Sequence, residues 1–262
     1  MGHPSSSAGS LEFVRLTLAD VEDRSPRFRL SEGVIQVHAF MLDTTPDVRQ
    51  RCGQWLSQAE HERAQRFRFE EDRGRYMVAH GYLRHLLGAY CGKAPASLEF
   101  RERTGGKPIL VGEGQGAQSI GFSLTHSHGR ALVAAAVGFD VGVDLERMRH
   151  NVDYAALARR FFSPAECRII MAAEPDGQRR EFFRHWVGKE SILKARGTGL
   201  RVPLHECELR FTDGQTALVQ SGCMPAGAAD VFTARFLPLA GDWVGAVAAE
   251  GTEWRWASSS PT

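Results

Sequence analysis

The stretch Val141-Gly142-Val143-Asp144-Leu145-Glu146 alternates strictly between apolar and small or acidic residues. As a strand it sends Val141, Val143 and Leu145 to one face and Gly142, Asp144 and Glu146 to the other. The two carboxylates then share one face about 7 Å apart, beside a glycine that leaves room for another group. Paired hard oxygens of this kind suit a magnesium ion carrying phosphate. The plainer alternative is a strand leaving the core for solvent.

A second stretch weighs on that choice. From Phe182 to Ala195, Phe182, Phe183, Trp186, Val187 and Leu193 form one broad apolar arc at helical spacing. Glu190 falls inside the arc, Lys194 lies one turn further on, and Lys189 sits at the edge, while Arg184, Gly188 and Ser191 face away. A carboxylate on the buried face of a helix is costly unless a cation or hydrogen bonds compensate it. An internal Glu190–Lys194 pair at i, i+4 would do so. A metal-bound diphosphate would explain the glutamate and both lysines together.

Outward from these two stretches, β-rich segments alternate with helical ones. Gly33 to Leu42 reads as a first strand, and the proline-free run from Ser57 to Tyr90 reads as one or two amphipathic helices rich in arginine, with Phe67 on the apolar face. Phe122–Leu124 and Ala131–Val137 read as a hairpin turned at Ser127–Arg130. Val152–Phe162 can be helical, and Ser163-Pro164-Ala165-Glu166 is a helix start with a capping box. Strands are expected near Cys207–Phe211, Ala217–Gln220, Phe232–Leu237 and Trp243–Ala249.

A weak internal repeat lays Arg75–Gly92 on Arg180–Gly197, so that His80 meets His185, and the strand from Gly129 echoes the one from Gly241. Duplication predicts an α+β fold of two similar halves related by a pseudo-twofold axis, with a cleft between them. The expected division is a partly disordered N-terminal extension over 1–32, a first α+β half over 33–138 and a second over 139–262.

The 262 residues are 43% hydrophobic and 24% charged, with a formal net charge of +1, the profile of a soluble globular protein. That balance gives no general attraction to nucleic acid or acidic membranes. The five cysteines lack metal-knuckle spacing, no apolar run reaches membrane-spanning length, and Met1–Ser10 lacks a signal core, so a cytoplasmic location is expected. His126 and His128 form an HxH without nearby partner ligands, which reads as a turn before it reads as a metal site.

The two opening stretches, in this order, resemble the paired motifs of the Sfp-type 4'-phosphopantetheinyl transferases, (I/V)G(I/V)D followed by WxxKExxxK, here carried by Val141–Glu146 and by Trp186, Lys189, Glu190 and Lys194. Gly106-Lys107-Pro108 and Phe122–Ser127 extend the resemblance upstream. It implies transfer of the phosphopantetheine arm of coenzyme A to a serine of an apo acyl or peptidyl carrier protein by a monomer. It further implies that Asp144, Glu146 and Glu190 hold Mg2+ and that Lys194 and Lys189 assist at the diphosphate. Glu190 would be the general base. Lys107, Thr125 and His126 would contact the 3'-phosphorylated nucleotide, with Arg63, Arg75 and Arg84 at basic positions facing its phosphates. Glu60 and Tyr76 depart from the family pattern, standing where a lysine and a small hydroxyl residue occur. Glu166 matches a glutamate that accompanies the metal site in relatives, but its capping role explains it locally. A catalytically silent carrier- or nucleotide-binding module, or another magnesium-dependent phosphotransferase, remains the alternative, and the acceptor's pathway stays open.

Overall fold

The computed structural model describes residues 10–23, 29–112, 119–222 and 231–258. The stretches 1–9 and 24–28, where disorder was expected, lie outside the described residues, as does Cys223. Between those stretches the N-terminal extension is built into the core. Thr17 caps a short helix α1 (Leu18–Glu22) with a capping box, strand β1 is Val14–Arg15, and Leu11, Leu16 and Val21 are buried.

Two five-stranded sheets carry the chain. In the first, β2 (Val34–Met41) pairs antiparallel with β6 (Arg130–Val137), which pairs with β5 (Ile120–Ser127). The free side of β2 takes β1 at its Phe40 end and β12 (Arg255–Ser258) at its Val34 end, both parallel. The last strand thus leaves the 139–262 segment and completes the first sheet, because β6 already occupies the other side of β2. The second sheet is antiparallel throughout, in the order β7 (Val141–Arg147), β11 (Trp243–Glu250), β10 (Phe232–Phe236), β9 (Thr216–Gly222) and β8 (Cys207–Phe211). A two-stranded ribbon, β3 (Glu99–Glu102) and β4 (Pro108–Val111), stands apart, turned through Gly105 and Gly106 at positive φ.

The period-two pattern of these strands decides the layering. On β6, Ala131, Val133 and Ala135 pack with Phe40, Tyr82, Leu86 and Leu87, whereas Leu132, Ala134 and Ala136 pack with Val141, Val143, Leu145 and Val247. Each face of β6 therefore belongs to a different core. The first core lies under helix α4 (Glu70–Cys91), and the second joins the two sheets. A third core lies between the second sheet and helix α7 (Pro175–Arg196), around Phe182, Val187, Ile192, Ala246 and Ala248.

The run from Ser57 to Tyr90 resolves into two helices, α3 (Gln58–Gln65) and α4, after α2 (Pro46–Gly53). Between them Phe67 lies outside any helix and Phe69 is 59% exposed, so Phe67 does not extend an apolar helix face. In the second part, α5 (Tyr154–Phe161) and α6 (Pro164–Ala172) precede α7, and Ser163 makes the expected capping box with Glu166. Of the α7 residues expected to point outward, Arg184 is partly exposed, but Gly188 lies against Leu209 and Phe236 and Ser191 is fully covered. That follows from how tightly α7 sits on β7. A side chain at Gly142 would collide with the Ser191 carbonyl oxygen, so only glycine admits this approach.

Candidate active site

The two sheets meet along β5 and β7, and the join is made by side chains. Three residues of β5 at alternate positions, Ser123, Thr125 and Ser127, point across to β7. Ser123 Oγ accepts from the Val143 backbone N–H at 3.1 Å, Thr125 Oγ1 donates to Asp144 Oδ1 at 3.1 Å, and Ser127 Oγ donates to Glu146 Oε2 at 3.0 Å. A period-two ladder of hydroxyls thereby fixes the period-two pair of carboxylates. The hydroxyl alternation was visible in Phe122–Ser127, but its match to Asp144 and Glu146 needs the two strands side by side.

From the other side α7 supplies Lys194 and Glu190. Lys194 Nζ donates to Asp144 Oδ1 at 2.6 Å and to the Val143 carbonyl at 3.2 Å, with Thr125 Oγ1 at 3.3 Å. Asp144 Oδ2 is buried with no hydrogen-bond partner. Burial and the Asp144 charge push Glu190 up to about 6, with Glu146 adding to the effect and Lys194 opposing it. Glu146 is pushed up by burial and by Asp144, against the hydrogen bond from Ser127. The three carboxylates thus feel one another's charge, with Lys194 the ammonium among them, an arrangement that a bound cation would relieve. As they stand, no three His, Cys, Asp or Glu side chains among the described residues converge closely enough to hold a metal, and Lys194 occupies one oxygen of Asp144. The fit to a divalent cation rests on the unpartnered Asp144 Oδ2 and on the hard oxygen donor set.

Beside this cluster opens a cleft of about 320 Å³, within the range of small-molecule sites. Its walls come from His80 and Leu83 on α4, the turn Gly105–Pro108, Phe122–Leu124 and His126 on β5, and Leu193, Lys194 and Gly197 at the end of α7. Gly105, at φ +148, packs against the Gly197 carbonyl so closely that any side chain would clash. His126 is held below the usual imidazole range, first by burial and then by His80, Lys194 and Arg75.

Of the residues expected at the site, the structure brings together Thr125, His126, Asp144, Glu146, Glu190 and Lys194, with Lys107 on the cleft wall. Lys107 Nζ is itself bound to the carbonyls of Val141 at 2.9 Å and Ala195 at 3.0 Å, with Asp140 Oδ1 at 3.3 Å. It holds the C-terminal end of α7 onto β7, as a cation at a helix C-terminus does. Arg75 makes a two-pronged pair with Asp43 at 2.8 and 3.1 Å and a second pair with Glu71. Arg63 is exposed on α3.

Arg63 and Arg75 do not line the cleft, and two further expected residues are bound up inside the protein. Arg84 is buried, donating to Glu60 Oε2 at 2.8 Å and to the carbonyls of Pro95 and Leu98 at 3.1 and 2.9 Å. Lys189 points into the third core, where its ammonium meets Glu166 Oε2 at 2.5 Å and the Leu204 carbonyl at 2.8 Å and lies over the Phe162 ring. Glu166 also accepts from the Leu209 N–H, so its role exceeds capping but stays inside that core. His80, Leu83, Gly105 and Gly197 line the cleft without a sequence pattern that marks them for it. His80 was matched to His185 in the repeat, but nothing in the alternation of α4 marks which of its faces meets a cleft.

An α+β chain whose two sheets meet at an acidic cluster beside a ligand-sized cleft has the layout of an enzyme active site. Residues 140–248 match the 4'-phosphopantetheinyl transferase superfamily, and residues 45–138 match the N-terminal region of 4'-phosphopantetheinyl transferases. The chain is 34% identical to the 4'-phosphopantetheinyl transferase HetI of Nostoc sp. over 198 residues, covering 76% of this chain and 83% of that protein. It is 32% identical to a 4'-phosphopantetheinyl transferase of Bacillus subtilis, covering 60% and 67% of the two chains. With Sfp of Bacillus subtilis the identity is 27% over 70% of this chain and 80% of the relative. The chain belongs to the 4'-phosphopantetheinyl transferase superfamily and is an enzyme of that type. Among the described residues no helix is long and apolar enough to cross a membrane.

Proposed function

We propose that this chain moves 4'-phosphopantetheine from coenzyme A to a serine hydroxyl of an apo acyl or peptidyl carrier protein, releasing 3',5'-ADP, with Mg2+ held by Asp144, Glu146 and Glu190. The observation that carries the reading is the carboxylate cluster around the unpartnered Asp144 Oδ2, set directly beside the cleft. The relatives' names support the transferred group, and the site chemistry supports the donor and the ion.

When bound, magnesium would neutralise and align a diphosphate whose charge otherwise repels a nucleophile. The chain's own residues do the rest. The cleft holds the nucleotide between the Gly105–Lys107 turn and α7, with Thr125 and His126 on β5 toward its phosphates. Lys194, released from Asp144 as the ligand enters, has three N–H donors for a diphosphate oxygen. The hydroxyl ladder of β5 keeps Asp144 and Glu146 in place. Glu190 takes the serine proton, directly or through a metal-bound water, as the Ser Oγ–P bond forms and the P–O bond to 3',5'-ADP breaks. Both sides of the cleft lie in one chain, which supports action as a monomer. Arg84 and Lys189 hold structure together and are assigned no ligand.

The test is incubation with an apo carrier protein, coenzyme A and magnesium, read by intact mass. A gain of one phosphopantetheine on the carrier serine is expected, lost on chelation of the metal. No gain with several carriers, while coenzyme A still binds, would replace this reading with a silent binding module.

A further inference from the structure

The β5–β6 hairpin turns in two residues, His128 and Gly129, between the paired Ser127 and Arg130. Both have positive φ, 44° and 77°, as a type I′ turn requires, and the usual first residue of such a turn is asparagine, aspartate or glycine. His128 is the one residue other than glycine with positive φ among the described residues. Turn chemistry alone gives no reason for an imidazole there. The turn is also pinned. A side chain at Gly129 would meet the Asp43 carboxylate, which Arg75 holds with two hydrogen bonds, and the Leu42 N–H donates to the Gly129 carbonyl at 2.8 Å.

From this fixed base the His128 ring reaches back along the chain. Its Nδ1 lies 2.9 Å from Ser127 Oγ, and that hydroxyl donates to Glu146 Oε2 at 3.0 Å. A serine hydroxyl has one proton and a carboxylate only accepts, so Ser127 can take from His128 but not give to it, and Nδ1 carries the ring's proton. Burial, followed by the charges of Arg149, Arg147 and Arg75, holds His128 below the usual imidazole range. A neutral ring has one N–H, and this bond uses it. The arrangement has a counterpart two residues away on β5: Lys194 Nζ stands 3.3 Å from Thr125 Oγ1, which donates to Asp144 Oδ1 at 3.1 Å. Asp144 and Glu146 are thus each reached by a β5 hydroxyl that is itself held from behind by an N–H donor.

We infer that His128 is a positioning residue of the metal site, holding the Ser127 hydroxyl so that its proton stays on Glu146 and the carboxylate keeps the orientation an ion needs. The inference rests on the magnesium reading above. A free hydroxyl samples several directions, and a donor behind its oxygen leaves one direction for the proton. Partners one hydrogen bond removed from an ion typically change its affinity about 10- to 100-fold. The two relays differ in use. Lys194 leaves Asp144 as the diphosphate enters, which opens the Thr125 relay, whereas nothing in the reaction calls on His128. Glu146 is therefore the carboxylate whose support does not depend on the substrate.

Binding of Mn2+, followed by the paramagnetic resonance of the free ion, tests this without turnover, and the portion abolished by Asp144→Asn assigns the ion to the carboxylate cluster. His128→Gly suits the turn at least as well as histidine and should leave the melting temperature within a few degrees, while Mn2+ affinity falls about tenfold. His128→Asn also suits the turn, and its Nδ2 stands as many bonds from the backbone as imidazole Nδ1, so affinity should return most of the way to that of the unaltered chain. Ser127→Ala should weaken the ion similarly, and adding His128→Gly to it should cost little more, because both act through one hydroxyl. Unchanged affinity in His128→Gly, an equal loss in His128→Asn, or losses that add in the double variant overturn the inference while the metal reading stands. If the unaltered chain holds no Mn2+ that Asp144→Asn releases, the metal reading falls and takes the inference with it.

Discussion

Lys189 and Lys194 lie on the same helix and in the same stretch of sequence, yet they perform different physical work. Lys189 has an accessibility of 0% and answers a glutamate at 1%, with a backbone carbonyl and an aromatic face completing its surroundings. Lys194 is 30% exposed and answers Asp144, whose second oxygen has no partner. A sealed ion pair is costly to break because removing one member leaves a desolvated charge. A half-open one can be traded for a ligand at little cost to the fold. The first lysine therefore belongs to stability and the second to chemistry, and their separation is set by which flank of α7 each occupies.

The comparison is broken most directly at its sealed end. Lys189→Met should destabilise the protein by about 3–5 kcal/mol, since Glu166 would remain buried without its cation. Thermal unfolding should shift down accordingly, while turnover per folded molecule at low temperature stays near that of the unaltered chain. Loss of turnover with unchanged melting would place Lys189 in the reaction. Lys194→Met should show the opposite pattern: kcat/KM lower by about 100-fold, the scale of one lost donor to a developing charge, with a melting shift of only a few degrees.

The distinction between these lysines was only partly legible in the sequence. Helical spacing put Glu190 and Lys194 on the apolar arc and Lys189 at its edge, which is correct for a helix with one buried face. Periodicity carries no account of what covers the other faces, and α7 is covered both by the second sheet, β7 included, and by α6. Lys189 therefore ends in a core where an edge position was expected. Strand alternation fared better: Val141, Val143 and Leu145 do turn to the inter-sheet core, and Asp144 and Glu146 do share the other face. The capping box at Ser163 was readable because its partners are local. The β12 strand beside β2, the Lys107 tie to α7 and the closeness of His80 to Glu60 join residues far apart in the chain, and no local pattern encodes them.

The same contrast between sealed and open charges predicts a pH dependence of stability, smaller than either effect above. Glu60 and Glu190 are both partly buried, but their surroundings push them in opposite directions. Burial alone would raise Glu60, yet the nearby His80, hydrogen bonds from Ser57 and the charge of Arg84 bring it down to about 2. It stabilises the fold above its unfolded value of 4.5, and that contribution is lost as pH falls toward 2. Glu190 behaves inversely. Raised to about 6, it binds a proton in the native state that the unfolded chain has already released, so the metal-free protein loses stability as pH rises from 4.5 through 6. The expected loss is at most about 2 kcal/mol, read as a falling melting temperature in the presence of a chelator. Glu190→Gln removes the more strongly raised of the two carboxyls on that limb, Glu146 being the other, and should make it shallower while leaving the acid-side limb from Glu60 intact. If the variant melts with the same slope as the unaltered chain, the crowding of Asp144, Glu146 and Glu190 is relieved within the protein itself, and the case for a cation at that spot loses its electrostatic support.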